Sequence, residues 1–144
     1  MPRVLIDTSV LFAAAYRRDS AHEDARPILR GVDDGSLPEA VVLDYVLAET
    51  LNGLTTHAGH DAAVDFLDRI EENDRFHVES VGSGTLAAGK AAFRRYESLS
   101  FVDGCLVGYM QAEDVGYLYA FDDDFDVVEG LSRLDTPTNP YDPR

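Results

Sequence analysis

The chain has one cysteine, Cys105, one lysine, Lys90, and no tryptophan. A lone cysteine excludes an internal disulfide and suits the cytoplasm. No run of about 18 apolar residues occurs, so the sequence offers no membrane-spanning helix. Met1-Pro2-Arg3-Val4 leads straight into an apolar strand rather than a signal-peptide pattern. No repeat, low-complexity tract or Gly/Ser linker divides the chain, which predicts one domain over residues 1–135 and an extended or frayed tail over 136–144. Bases are scarce: 12 against 27 acids, for a net charge of −15. Asp outnumbers Glu by 18 to 9. That balance fits a halophile's protein, working in concentrated salt where self-repulsion is screened. It also means that composition cannot pick out a functional acid. Taken alone, the charge argues against nucleic-acid binding, which phosphate neutralisation usually drives.

What is present is a succession of short apolar strands and amphipathic helices. Val4-Leu5-Ile6, Ala40–Leu43, Phe76–Val81 and Tyr117–Phe121 read as strands, with a short fifth near Arg133-Leu134. Helices are predicted over Val10–Tyr16, from a capping box at Ser20-Ala21-His22-Glu23 toward Gly35 with a kink or break at Pro27, and over Tyr45–Leu54 with Asp44 as N-cap. Asp61–Glu72, Thr85–Tyr96 and Phe101–Glu113 complete the set. Apolar strands alternating with helices imply an α/β fold with a mostly parallel sheet of about five strands, covered on both faces. Ligands of such folds sit beyond the carboxyl ends of the strands, near a switch in strand order.

Four acids stand where a solvating charge does not belong. Asp7 follows the first strand directly and Asp122 follows the fourth; Glu49 lies within Val46–Leu51, and Asp103 within Phe101–Val107. Asp33-Asp34 and Glu71-Glu72, by contrast, sit at polar helix ends. Buried carboxylates are costly and repel one another. One or two divalent cations resolve the conflict, because hard oxygen ligands suit Mg²⁺ or Mn²⁺. Each acid has a plainer reading as well: Asp7 as a helix cap, Glu49 and Asp103 as partners of arginines, Asp122 as part of an acidic surface loop, Asp122–Asp126.

The order of these pieces, strand–Asp-Thr-Ser, a helical Glu, Ser-Phe-x-Asp opening a helix, then strand–Phe-Asp-x-x-Phe, resembles the PIN-domain ribonucleases, in particular the VapC-type toxins of bacterial and archaeal toxin–antitoxin pairs. The matching stretches are Val4–Ser9, Leu43–Leu54, Leu99–Gly104 and Leu118–Leu134. The resemblance implies a single Rossmann-like domain and Mg²⁺- or Mn²⁺-dependent hydrolysis of RNA to a 5′-phosphate and a 3′-hydroxyl. Asp7, Glu49 and Asp103 would be the main metal-organising and catalytic acids, with Asp122 the fourth, Asp124 its substitute or addition, and Ser9 a hydrogen-bonding support. It further implies an antitoxin partner and a homodimer, for which Leu47, Leu51 and Leu54 offer an apolar helix face. A housekeeping nuclease without an antitoxin, or a catalytically silent binding module on the same fold, are the alternatives.

An acidic protein that binds RNA needs local bases. Arg17-Arg18 and Arg94-Arg95 are paired, each beside a helix of the proposed site, and arginine is the better phosphate fork. Surface ion pairing is their plain alternative. The histidines (22, 57, 60, 77) show no convergent pattern, and Gly59 sets His57 and His60 in a loop between helices. An aspartyl phosphotransferase would want an acid where Ser9 stands. Read as a calcium loop, the Asp122-Asp124-Asp126 spacing places Val127 where Gly is needed and Arg133 where Glu is needed.

Overall fold

In the computed structural model, which describes residues 2–142, the chain forms one parallel five-stranded sheet and six helices. Strands β1 (Arg3–Ile6), β2 (Glu39–Leu43), β3 (Phe76–Glu79), β4 (Tyr117–Tyr119) and β5 (Ser132–Leu134) lie in the order β3-β2-β1-β4-β5. Helices α1 (Thr8–Ala15), α2 (His22–Asp34), α3 (Asp44–Ala58), α4 (His60–Glu72), α5 (Ser83–Arg95) and α6 (Phe101–Ala112) connect them, and a 3₁₀ turn over Asp123–Val127 precedes β5. The parallel sheet that the sequence implies is therefore the one formed.

Its central strands show why they read as unbroken apolar runs. Val4, Leu5, Ile6 and Ala40 through Leu43 are fully buried, because helices cover both faces of the sheet. β3, at one edge, leaves Val78 43% exposed. The chain moves outward from β1 to β2 to β3 and then crosses back to lay β4 on the other side of β1. That reversal makes the carboxyl ends of β1 and β4 the topological switch point of the sheet, where folds of this kind open a crevice. Leu5 is registered with Leu118 and Ile6 with Tyr119, and the Asp7 N–H extends the ladder to the Tyr119 carbonyl at 3.0 Å.

Helices α5 and α6 pack closely, backbone to backbone. A Cβ placed on Gly108 would lie 2.7 Å from the Gly89 nitrogen, and one on Gly104 2.9 Å from the Gly89 oxygen. The approach fixes the start of α6, and with it Asp103, against the end of α5.

Several local expectations are revised. The box at Ser20–Glu23 does not form: Ala21 is the N-cap of α2 without a side-chain bond, and its N–H is taken by Asp19 instead at 2.8 Å. Pro27 lies inside α2 without ending it. It is the sixth residue of that helix, so its missing N–H removes one ladder bond just past the turn that has none to lose. Leu43, not Asp44, caps α3, and the Asp44 carboxylate accepts from the Val81 N–H at 3.1 Å. Residues 136–142 are tied to the sheet: the Tyr119 hydroxyl donates to the Thr138 carbonyl at 2.6 Å and the Tyr141 hydroxyl to the Arg3 carbonyl at 2.9 Å. Leu54 is 1% exposed and packs in the core, and Leu47 and Leu51 are half-buried against it, so this helix face is largely consumed within the chain.

Candidate active site

Asp7 sits where β1 stops and α1 starts, 4% exposed. Its carboxylate does cap α1, accepting from the Ser9 N–H at 3.2 Å and the Ser9 hydroxyl at 2.7 Å. The Ser9 oxygen in turn accepts from the Phe121 N–H at 3.1 Å. One serine thus links the carboxyl end of β1 to the segment leaving β4. Burial holds the Asp7 carboxyl above its ordinary range despite these bonds, and the Asp122 charge pushes the same way.

Asp103 reaches the same crevice from α6. Ser100 caps that helix by accepting from the Asp103 N–H at 3.2 Å, and the Asp103 carboxylate accepts from the Ser100 N–H at 3.3 Å. This reciprocal box fixes the carboxylate at the helix start. Its pKa is raised to about 6, first by burial, then by the charge of Asp7, with Asp122 adding to both and the Ser100 bonds opposing. Asp122 caps the 3₁₀ turn by accepting from the Asp124 N–H at 2.9 Å. Carboxylate oxygens of Asp122, Asp123 and Asp124 all lie within 4.8 Å of one another, and the Asp122 charge raises the Asp124 carboxyl. Glu49 is exposed on α3, where it accepts from the Thr8 hydroxyl at 2.7 Å, next to Asp7 in the chain.

Asp7, Asp103 and Asp122 therefore share one electrostatic neighbourhood, with Asp124 joined through Asp122 and Glu49 joined through Thr8. Among the described residues the ion pairs are Arg3–Glu79, Arg26–Glu23, His77–Glu39, and Arg133 with Asp126 and Asp135. None involves the acids of the crevice. A set of oxygen donors without an ion-pair partner, in which the Asp7 and Asp103 carboxyls are held above their ordinary range, has the chemistry of a site for a hard divalent ion.

The arginine pairs part company. Arg94 and Arg95 end α5, whose Phe93 packs on Gly104, the residue after Asp103. Arg17 and Arg18 lie beyond the far end of α1, on the order of 15 Å along the helix from Asp7 at 1.5 Å per residue. Arg17 lines a separate cavity of about 990 Å³ with Arg26, Arg30 and Arg69. His57 is exposed and packs edge-on against Phe12 at 5.8 Å.

Sequence reading overlooked Thr8, Ser100 and Asp123. Ser100 carried a signal, since Ser-x-x-Asp at a helix start is the spacing of a capping box. Thr8 carried only its adjacency to Asp7, because its partner Glu49 is 41 residues away.

Together, fold and site define a single parallel α/β domain with a carboxylate-lined crevice at its topological switch. The chain belongs to the PIN domain family, whose profile matches residues 4–131. Among solved structures it is similar to Mycobacterium tuberculosis VapC20, described as a sarcin–ricin loop cleaving toxin. The identity is 27% and the TM-score 0.74, over 85% of this chain and 92% of that one. It shares its fold with VapBC2 of Rickettsia felis bound to a promoter DNA fragment, at 13% identity and TM-score 0.70 over 92% and 97% of the two chains. A toxin–antitoxin complex from Klebsiella pneumoniae also shares it, at 16% identity and TM-score 0.65 over 94% and 98%. Comparison with curated proteins finds no match by sequence.

Proposed function

We propose that this chain is a metal-dependent endoribonuclease acting as the toxin of a toxin–antitoxin pair, and that its acids cleave RNA at the crevice between β1 and β4. The observation that carries the reading is the convergence of Asp7, Asp103 and Asp122 from three separate elements without a neutralising base. Likeness at 27% identity to a toxin described as cleaving the sarcin–ricin loop supports the substrate class.

Asp7, Glu49, Asp103 and Asp122 would hold one or two Mg²⁺ or Mn²⁺ ions, with Asp124 as a further donor. Such an ion supplies activation of water and neutralisation of charge on the phosphate in transfer. The chain's own work is to aim the donors. Ser9 holds the Asp7 carboxylate, Thr8 holds Glu49, and Ser100 holds Asp103. Water adds across the P–O3′ bond, leaving a 5′-phosphate and a 3′-hydroxyl, so no nucleophilic side chain is needed. Arg94 and Arg95, at the end of α5, would fork the phosphates of the bound RNA. Arg17 and Arg18 would touch only RNA that extends well past the crevice.

An antitoxin would meet the same negative crevice with a basic segment. The pair would work in the cytoplasm; among the described residues no helix is long and apolar enough to cross a membrane. A homodimer would need a face other than that of Leu54.

The test is metal removal. Protein stripped with EDTA should leave RNA intact in high salt, and Mg²⁺ or Mn²⁺ should restore cleavage to fragments bearing 5′-phosphates. Stoichiometric RNA binding in Mn²⁺ without cleavage would identify a silent binding module instead.

A further inference from the structure

The charge of this chain is not spread evenly. From Ser80 to Tyr96 it carries no acid, although acids number 27 in 144 residues. That stretch contains α5, which holds the only lysine, Lys90, together with Arg94 and Arg95. None of these three bases enters the ion pairs among the described residues. Arg95 instead stacks its guanidinium over the Tyr96 ring at 5.0 Å.

Phe93 lies in the last turn of this basic helix and is 46% exposed. Lys90, Phe93 and Arg94 are at i, i+3 and i+4, so they share one face. The Phe93 ring meets Phe101 edge-to-face, with centroids 5.6 Å apart and planes at 79°. Phe101 opens α6, two residues before Asp103. Residues i and i+2 point to different sides of a helix. The aromatic pair therefore lies beside the carboxylates rather than among them.

Resting on the ribonuclease reading, we infer that Phe93, propped by Phe101 and flanked by Lys90 and Arg94, is a stacking platform for an unpaired base of the RNA, a nucleotide or so from the phosphate being cut. An aromatic face takes a base, and adjacent cations take the backbone on either side of it. In a chain of net charge −15, an acid-free basic helix next to the acidic crevice is where a polyanion gains a foothold. Duplex RNA stacks its own bases internally and has none to offer. The platform selects single-stranded or looped RNA.

The experiment is equilibrium binding in EDTA, so that it does not depend on cleavage. The probe is a single-stranded oligoribonucleotide containing 2-aminopurine, compared with the same sequence as a duplex. Stacking should quench the probe on the wild-type chain. Phe93→Leu should weaken single-strand binding by roughly tenfold, the scale of one lost stacked base, and leave duplex binding unchanged. Phe93→Tyr should keep both the quenching and the affinity. Equal single-strand binding by Phe93→Leu, absence of quenching, or equal sensitivity of the duplex would overturn the platform. So would a change in molecular mass of Phe93→Leu by light scattering, which would make Phe93 a contact with a second copy of the chain. A chain that stacks the probe through Phe93 but never cleaves RNA would sink the ribonuclease reading alone. Cleavage with unaltered Phe93→Leu binding would sink the platform alone.

Discussion

Asp103 and Asp126 are the same residue type in the same chain, and their surroundings push them in opposite directions. Asp126 meets Arg133 in a two-pronged bond, at 2.8 and 3.1 Å, and its carboxyl is held below the ordinary range. The Asp103 carboxyl is raised to about 6, first by burial and then by the charges of Asp7 and Asp122, which it meets in place of a base. Glu39 repeats the first pattern with His77 at 2.6 Å. Asp7 is raised as well, chiefly by burial, with a smaller push from the Asp122 charge. The protein has bases to place, and in the described structure none pairs with an acid of the crevice. The difference separates acids that the fold has neutralised from acids left facing one another, and only the second kind leaves work for a bound cation.

Ser9 is where that contrast breaks most readily. Ser9→Ala removes a bond to Asp7 and leaves the Phe121 N–H without its acceptor. RNA cleavage should fall by about tenfold to a hundredfold, as for loss of a residue supporting a metal ligand. Thermal denaturation should show a loss of about 1–3 kcal/mol for the stranded donor. Ser100→Ala acts on Asp103 through the helix cap and should cost about 1 kcal/mol, read in the same way.

The pH response sharpens the comparison. The folded pKa of Asp103, about 6, lies above the ordinary value of 3.8, so the fold prefers the protonated form. Its stabilising contribution is full below the ordinary value and is lost as pH rises through about 6. In metal-free protein, Asp103→Asn should therefore raise Tm at pH 7 and have less effect at pH 5. A difference between variant and wild type that does not grow between those pH values would contradict the raised pKa. The smallest effect belongs to the exposed acids: Asp65→Asn on α4 should change stability by less than about 0.5 kcal/mol.

Much of the fold was legible because its elements are locally encoded. Val4-Leu5-Ile6 and Ala40–Leu43 are too apolar for an exposed strand, and Gly59, at φ 97°, parts α3 from α4 where expected. Placement relative to those elements also singled out Asp7, Glu49, Asp103 and Asp122 as candidates, of which the fold sets Asp7, Asp103 and Asp122 in one electrostatic neighbourhood. The rest depends on distance in space. Strand order is not written in any local period, and the Thr8–Glu49 bond joins residues 41 apart. Arg17 and Arg94 look alike as neighbours of site helices. Both stand at the C-terminal end of a helix, and they differ in where that end lies: α1 runs away from Asp7, whereas the last turn of α5 packs on Gly104 beside Asp103. The box at Ser20 failed and the box at Ser100 formed although both have the spacing, because α2 starts with Ala21 rather than Ser20 at its N-cap, whereas Ser100 is the N-cap of α6.

The central claim is that cleavage depends on the acids that face one another and not on acidity in general. The direct measurement is kcat/KM for RNA cleavage in high salt with Mn²⁺, for wild type, Asp7→Asn, Asp103→Asn and the exposed Asp65→Asn. The account predicts losses of more than about a hundredfold for the first two variants, exceeding what loss of a supporting residue costs, with no change for Asp65→Asn. Equal activity in all four would contradict it.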